Sequence, residues 1–163
     1  MEKHIFTQRG YNALKEAVGN TAKRLAKVTR DKADAGSGQD GWHDEGFKIG
    51  VVDEMMWSKR LSELQTIMQS ATVVSPEEQD RVVKFGNGVT IQYQDGSIFS
   101  FILGGYNIGT HNEARPEISI YSPLGKAILG AKTGETRQFQ KKGNITIKKI
   151  LPPSRAEEIF QGE

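Results

Sequence analysis

The chain of 163 residues contains no cysteine. Disulfides, zinc–thiolate sites and thiol catalysis are therefore excluded. It also lacks any apolar run near the ~18 residues that a membrane helix needs. Met1-Glu-Lys-His-Ile-Phe6 has no apolar stretch of the kind that opens a secretory signal, so none is expected. No internal repeat or low-complexity tract is visible. An excess of charge of one sign is missing too: 22 Lys+Arg against 20 Asp+Glu leave a formal net charge of +2. That is too little for tight, independent binding to DNA. A cytoplasmic monomer without membrane contact is the expectation. A composition of 36% hydrophobic and 26% charged residues suits one ordinary domain or two small ones.

The small net charge hides a pattern. Residues 1–36 carry eight Lys/Arg and four Asp/Glu, residues 37–80 three and nine, and residues 81–163 eleven and seven. The segment charges are +4, −6 and +4. This is either uneven surface decoration or a way to present opposite fields to different partners.

The N-terminal half reads as a helical hairpin. Tyr11, Leu14, Val18, Thr21, Leu25, Val28, Lys32 and Ala35 follow a 3-4 spacing, the seam of a coiled coil. Thr7 is placed to cap this helix, while Gly10 and Gly19 each weaken it by about 1 kcal/mol relative to alanine. The glycines of 36–41 mark a turn. A second periodic stretch runs to Ala71, with Phe47, Val51, Met55, Trp57, Leu61, Leu64, Met68 and Ala71 expected on its inner face. Two such helices joined by a short loop pack antiparallel. At about 1.5 Å per residue each is ~40 Å long, a prong with a tip loop near 36–46 rather than part of a compact bundle.

Pro76 bars helix continuation, and a linker is expected over 72–80, which divides the chain into a prong over 1–75 and a second domain over 76–163. Strands are expected at Val82–Phe85, Val89–Tyr93, Ser97–Leu103, Glu117–Tyr121, Thr136–Phe139 and Ile145–Ile150. Asp95-Gly96 signals a type I′ hairpin turn. Ser122 fits as N-cap, Pro123 as first residue and Gly130 as the residue past the end of one short helix. The fold class is α+β: an antiparallel helical hairpin, then a small, mostly antiparallel sheet with one helix on a face.

Residues Ile118-Ser-Ile-Tyr-Ser-Pro-Leu-Gly-Lys-Ala-Ile-Leu-Gly-Ala-Lys-Thr-Gly-Glu135 carry a strand–Ser-Pro–helix–Gly-x-Lys-x-Gly-Glu pattern. Val83-Lys-Phe-Gly86 with Val89, and Thr7-x-x-Gly10-x-x-x-Leu14, add to it. In these motifs, over roughly residues 5–150, the chain resembles the Gre-type (GreA/GreB) bacterial transcript cleavage factors. The resemblance implies an FKBP-like second domain that docks on a β′ coiled coil of RNA polymerase, with Ser122 and Pro123 at the contact. It implies a hairpin that enters the secondary channel, with a basic surface (Lys15, Lys23, Arg24, Lys27, Arg30 and Lys32) guiding the 3′ end of the nascent RNA. It further implies acidic tip residues that help the polymerase hold a second Mg²⁺ and hydrolyse backtracked RNA. On that reading the chain has no active site of its own, and Mg²⁺ is not held tightly by the free protein.

The tip departs from the family pattern Gly-Asp-Leu-x-Glu-Asn-x-Glu-Tyr. Here it reads Gln39-Asp-Gly-Trp-His-Asp-Glu-Gly-Phe47. Asp40 matches the first acid, His43 stands at the second, and Asp44 falls one place beyond it. Asp40 and Asp44 are the metal and catalytic candidates, while helix capping and the helix dipole also explain acids here. Trp42 is expected to be exposed. Four readings stay open: a cleavage-stimulating factor, a channel-binding relative whose altered tip modulates or inhibits polymerase, an FKBP-like prolyl isomerase, and a generic coiled-coil interaction protein. The isomerase is disfavoured by the lack of an aromatic pocket pattern.

Overall fold

The computed structural model describes residues 4–36, 45–108 and 113–161. It divides into two compact units, Asn12–Ala71 and the described residues up to Tyr11 together with those from Thr72 onward. The first strand and first helical turn thus group with the second domain instead of the prong.

The first unit is built on α1 (Gln8–Ala35) and α2 (Glu45–Ser70). Leu14, Thr21 and Val28 of α1 are buried and Val18, Leu25, Lys32 and Ala35 half-buried, so the 3-4 seam appears as expected. The pairing with α2 is antiparallel: Arg24 lies over the Trp57 ring, Thr29 and Lys32 bond Glu54, and Gly36 packs on Phe47. The inner face of α2 differs from the expected one in its first half. Val51 and Met55 face outward, and Gly50 and Glu54 take the seam. The reason is Lys32. A Cβ on residue 50 would lie 2.9 Å from the Lys32 Cβ, so only glycine lets the lysine stem pass. Glu54 then supplies the counter-charge, with its carboxylate accepting from Lys32 Nζ at 3.0 Å and Thr29 Oγ1 at 3.0 Å. From Trp57 onward the seam is apolar again, with Leu61, Leu64 and Met68 turned inward.

The second unit holds β1 (His4–Phe6) paired with β2 (Ala71–Val73), and a five-stranded sheet. The sheet consists of β3 (Gly88–Tyr93), β4 (Ile98–Gly104), β5 (Glu117–Ser119), β6 (Thr136–Gln138) and β7 (Asn144–Leu151) in the order β5-β4-β3-β7-β6. All pairs are antiparallel except β4–β5. The short helix α3 (Pro123–Ile128) lies between β5 and β6 in sequence. Leu124 and Ile128 from α3 join Val83, Val89, Ile91, Phe101, Leu103, Phe139, Ile145 and Ile147 in the main core.

Three features depart from the sequence reading. Val82–Phe85 forms no strand. Its backbone is taken instead by Ala131, Gly130 and the side chain of Asn87, which accepts from Lys84 N at 2.9 Å. Asn87 and Gln79 are buried and bond each other at 2.9 Å, which pins the segment expected as a linker. At the β3–β4 turn only Gly96 has positive φ (+89°), with Gly96 N bonding Tyr93 O and Tyr93 N bonding Ser97 O. This is a three-residue loop with its left-handed position at glycine, not a type I′ turn. Last, residues 153–160 form a 3-10 segment whose Ala156 and Ile159 cover Ile102 and Leu151. Among the described residues no helix is long and apolar enough to cross a membrane.

Candidate functional site

Three sets of residues bear on function. Asp40 and Asp44, with Trp42 and His43, fall between α1 and α2 in sequence and lie outside the described residues. What flanks them is described. Gly36 closes α1 against Phe47, where a Cβ on residue 36 would lie 2.9 Å from the ring. Glu45 opens α2 and pairs with Lys48 at 3.4 Å, so the first acid of α2 serves its own helix. Among the described residues no group of three His, Cys, Asp or Glu could hold a metal ion.

The second set is the basic residues of α1. Lys23, Lys27 and Arg30 share one exposed stripe at i, i+4 and i+7. Lys27 is tied to Asp31 at 3.1 Å. Arg24 and Lys32 instead belong to the hairpin, Arg24 over the Trp57 ring at 5.6 Å and Lys32 on Glu54. The Lys32 ammonium and the Thr29 hydroxyl, donating to Glu54, hold that carboxyl below its ordinary range. Two of these basic residues, Arg24 and Lys32, are thus structural, a division that spacing alone did not reveal.

The third set is the turn before α3. Ser122 Oγ accepts from Gly125 N at 3.0 Å and donates to Ser119 O at 2.6 Å. Pro123 follows as the first helical residue, where its missing N–H costs nothing. Ser119 Oγ in turn accepts from Tyr121 N at 3.1 Å. The hydroxyl of Ser122 is therefore consumed inside the turn. The surface that the turn offers is made by Tyr121, Pro123 and Lys126, all exposed. Tyr121, 43% exposed, is the residue the sequence reading passed over; an aromatic directly before a capped helix start was the available signal.

A carboxylate beside this region is set apart by its surroundings. Glu117 is half-buried, and loss of hydration pushes its carboxyl above the ordinary range, with the Arg9 charge opposing and Glu157 adding to the shift. Arg9 and Arg115 both pair with Glu157, at 2.7 and 3.3 Å, which ties the start of α1 and the approach to β5 to the C-terminal 3-10 segment.

Comparison with known proteins gives the context of these residues. A curated protein of Saccharopolyspora erythraea named transcription elongation factor GreA is 28% identical over 153 residues, covering 89% of this chain and 90% of that one. The protein of the same name from Streptomyces coelicolor is 27% identical over 156 residues, covering 90% and 92%. Among solved structures, the GreA factor homolog 1 (Gfh1) protein of Thermus thermophilus aligns over 91% of this chain and 99% of its own, at 22% identity and a TM-score of 0.44. The family profile "Transcription elongation factor, GreA/GreB, C-term" matches residues 70–152, the half of the chain that contains the sheet and the Ser122–Pro123 turn. With that match, the chain belongs to the GreA/GreB family of transcription elongation factors.

Proposed function

We propose that the chain binds RNA polymerase, inserts its hairpin into the secondary channel and stimulates hydrolysis of backtracked nascent RNA. The observation that carries this reading is the hairpin itself. Helices of 28 and 26 residues run antiparallel and flank the segment that holds Asp40 and Asp44. Each is ~40 Å long, enough for a tip to act far from its anchor.

In this reading the exposed Tyr121, Pro123 and Lys126 meet the β′ coiled coil, and Ser122 holds the turn that presents them. Lys23, Lys27 and Arg30 face the RNA 3′ end, where cations offset phosphate charge. Asp40 and Asp44 would hold Mg²⁺ together with groups of the polymerase; one or two carboxylates are the donor set that this ion takes when phosphate and water complete its shell. Bound there, the ion supplies activation of water and stabilisation of developing charge. In this reading the hydrolytic activity remains the polymerase's.

His43 in place of the family's second acid favours a second reading, in which the hairpin enters the channel and modulates or inhibits synthesis without cleavage. Adding the chain and Mg²⁺ to a stalled, backtracked polymerase separates the two. Shortened RNA that resumes extension supports the first; slowed synthesis with intact RNA supports the second.

A further inference from the structure

The first half of α2 is inverted. Toward α1 it turns Gly50 and Glu54; toward solvent it turns Ile49 (59% exposed), Val52 (57%), Met55 (69%) and Met56 (60%). At about 100° per residue, Val52 lies diametrically opposite the seam, with Ile49 and Met56 to one side of it and Met55 to the other. Solvent is a costly environment for such a stripe, and a rimmed apolar patch on an otherwise polar surface marks an interaction site.

We propose that this stripe is a docking surface for an uncharged, apolar part of the protein wall of the channel that receives the hairpin. The inference rests on the function proposed above. Two observations select the occupant. The charges that rim the stripe balance in sign: Glu45 pairs with Lys48 at one end and Arg60 with Glu63 at 3.8 Å at the other, and Asp53 and Lys59 beside it are opposite in sign. The rim therefore has no excess of either sign to attract phosphate, and the stripe differs in this from the basic residues of α1. The stripe is also small. Two turns of a helix about 10 Å across and about 11 Å long fall well short of the ~800 Å² per partner that a free-standing complex buries. A second copy of the chain would not be held by it. A surface on a partner that is already anchored elsewhere would, because tethering raises the effective concentration of the weak contact.

The absence of cysteine makes the test direct. A Val52→Cys variant, labelled with a photoreactive maleimide, is irradiated with RNA polymerase; crosslinking to a large polymerase subunit is expected. In parallel, Val52→Gln combined with Met56→Gln replaces apolar groups by good helix formers. Circular dichroism should stay unchanged while apparent affinity for polymerase falls about tenfold. If the unaltered chain binds polymerase and the double variant binds equally well, the docking surface is refuted and the proposed function stands. If the crosslink joins two copies and light scattering gives a dimer mass, the occupant is a second copy and the proposal is overturned. If the unaltered chain does not bind polymerase, the proposed function itself fails and this inference with it.

Discussion

In the sheet unit, Val89, Ile91, Phe101, Leu103, Ile145 and Ile147 are sealed from solvent, and the exposed large apolar residues, such as Ile98 and Leu129, stand apart in sequence. In the first half of α2, five apolar side chains within eight residues face outward, while a lysine and a glutamate meet inside. The requirements of folding account for nearly every apolar position in the sheet unit. They do not account for the outer face of α2. A residue that folding does not explain is better explained by what it meets, and this difference directs attention to the hairpin as the part that works on a partner.

The largest expected contrast comes from the core. Phe101→Ala should cost about 3–5 kcal/mol, seen as loss of the sheet unit's cooperative transition in urea, with the helical signal of the hairpin retained to higher denaturant. A matching loss of both signals would show that the two units unfold as one. The turn before α3 gives a smaller and sharper contrast. Ser122→Ala removes an N-cap with two good hydrogen bonds and should cost about 1 kcal/mol. Tyr121→Ala should change stability by no more than about 0.5 kcal/mol yet weaken polymerase binding. If the serine variant binds as poorly as the tyrosine variant at equal stability, the assignment of a purely supporting role to Ser122 is wrong.

Two carboxylates test the comparison through pH. Glu54 is held below its ordinary range by Lys32 and Thr29. Its contribution to the hairpin is therefore complete above the ordinary carboxylate range and lost as pH falls through its own depressed value. Hydrogen exchange of amides near residues 29–32 and 50–54 should quicken in that acid window, and Glu54→Gln should abolish the pH dependence. Glu117 is shifted the other way, upward by burial. Its ionised form penalises the fold at neutral pH, and the penalty fades as pH falls from the raised value toward the ordinary one. Glu117→Gln should raise the melting temperature of the sheet unit by about 2 °C at pH 7, with no gain in acid. A loss at pH 7 would mean that the Arg9 attraction outweighs burial.

The sequence made the two units legible to different degrees. The seam of α1 was readable throughout because each of its positions from Leu14 to Ala35 is inward in fact. The inner face of α2 differs from its periodic expectation at Val51 and Met55, because apolar periodicity in one helix carries no information about a lysine in the seam of the facing helix. Lys32 required space and a counter-charge, and Gly50 with Glu54 supply them. Similarly, Val82–Phe85 has strand composition, but its backbone groups find partners in Asn87, Gly130 and Ala131 rather than in a neighbouring strand. β1 and β2, three residues each, are too short to leave a periodic signal. At the candidate site, the Ser122–Pro123 helix start was explicit in the sequence. Tyr121 beside it was not, because exposure is a property of the folded turn.

The most direct measurement of the central claim is RNA length in a stalled, backtracked polymerase incubated with Mg²⁺ and either the unaltered chain or a variant combining Asp40→Asn with Asp44→Asn. The account predicts shortened, extendable RNA with the former, and cleavage at least about tenfold slower with the latter at equal occupancy of polymerase. Equal cleavage by both, or slowed synthesis without shortening by the unaltered chain, would contradict it.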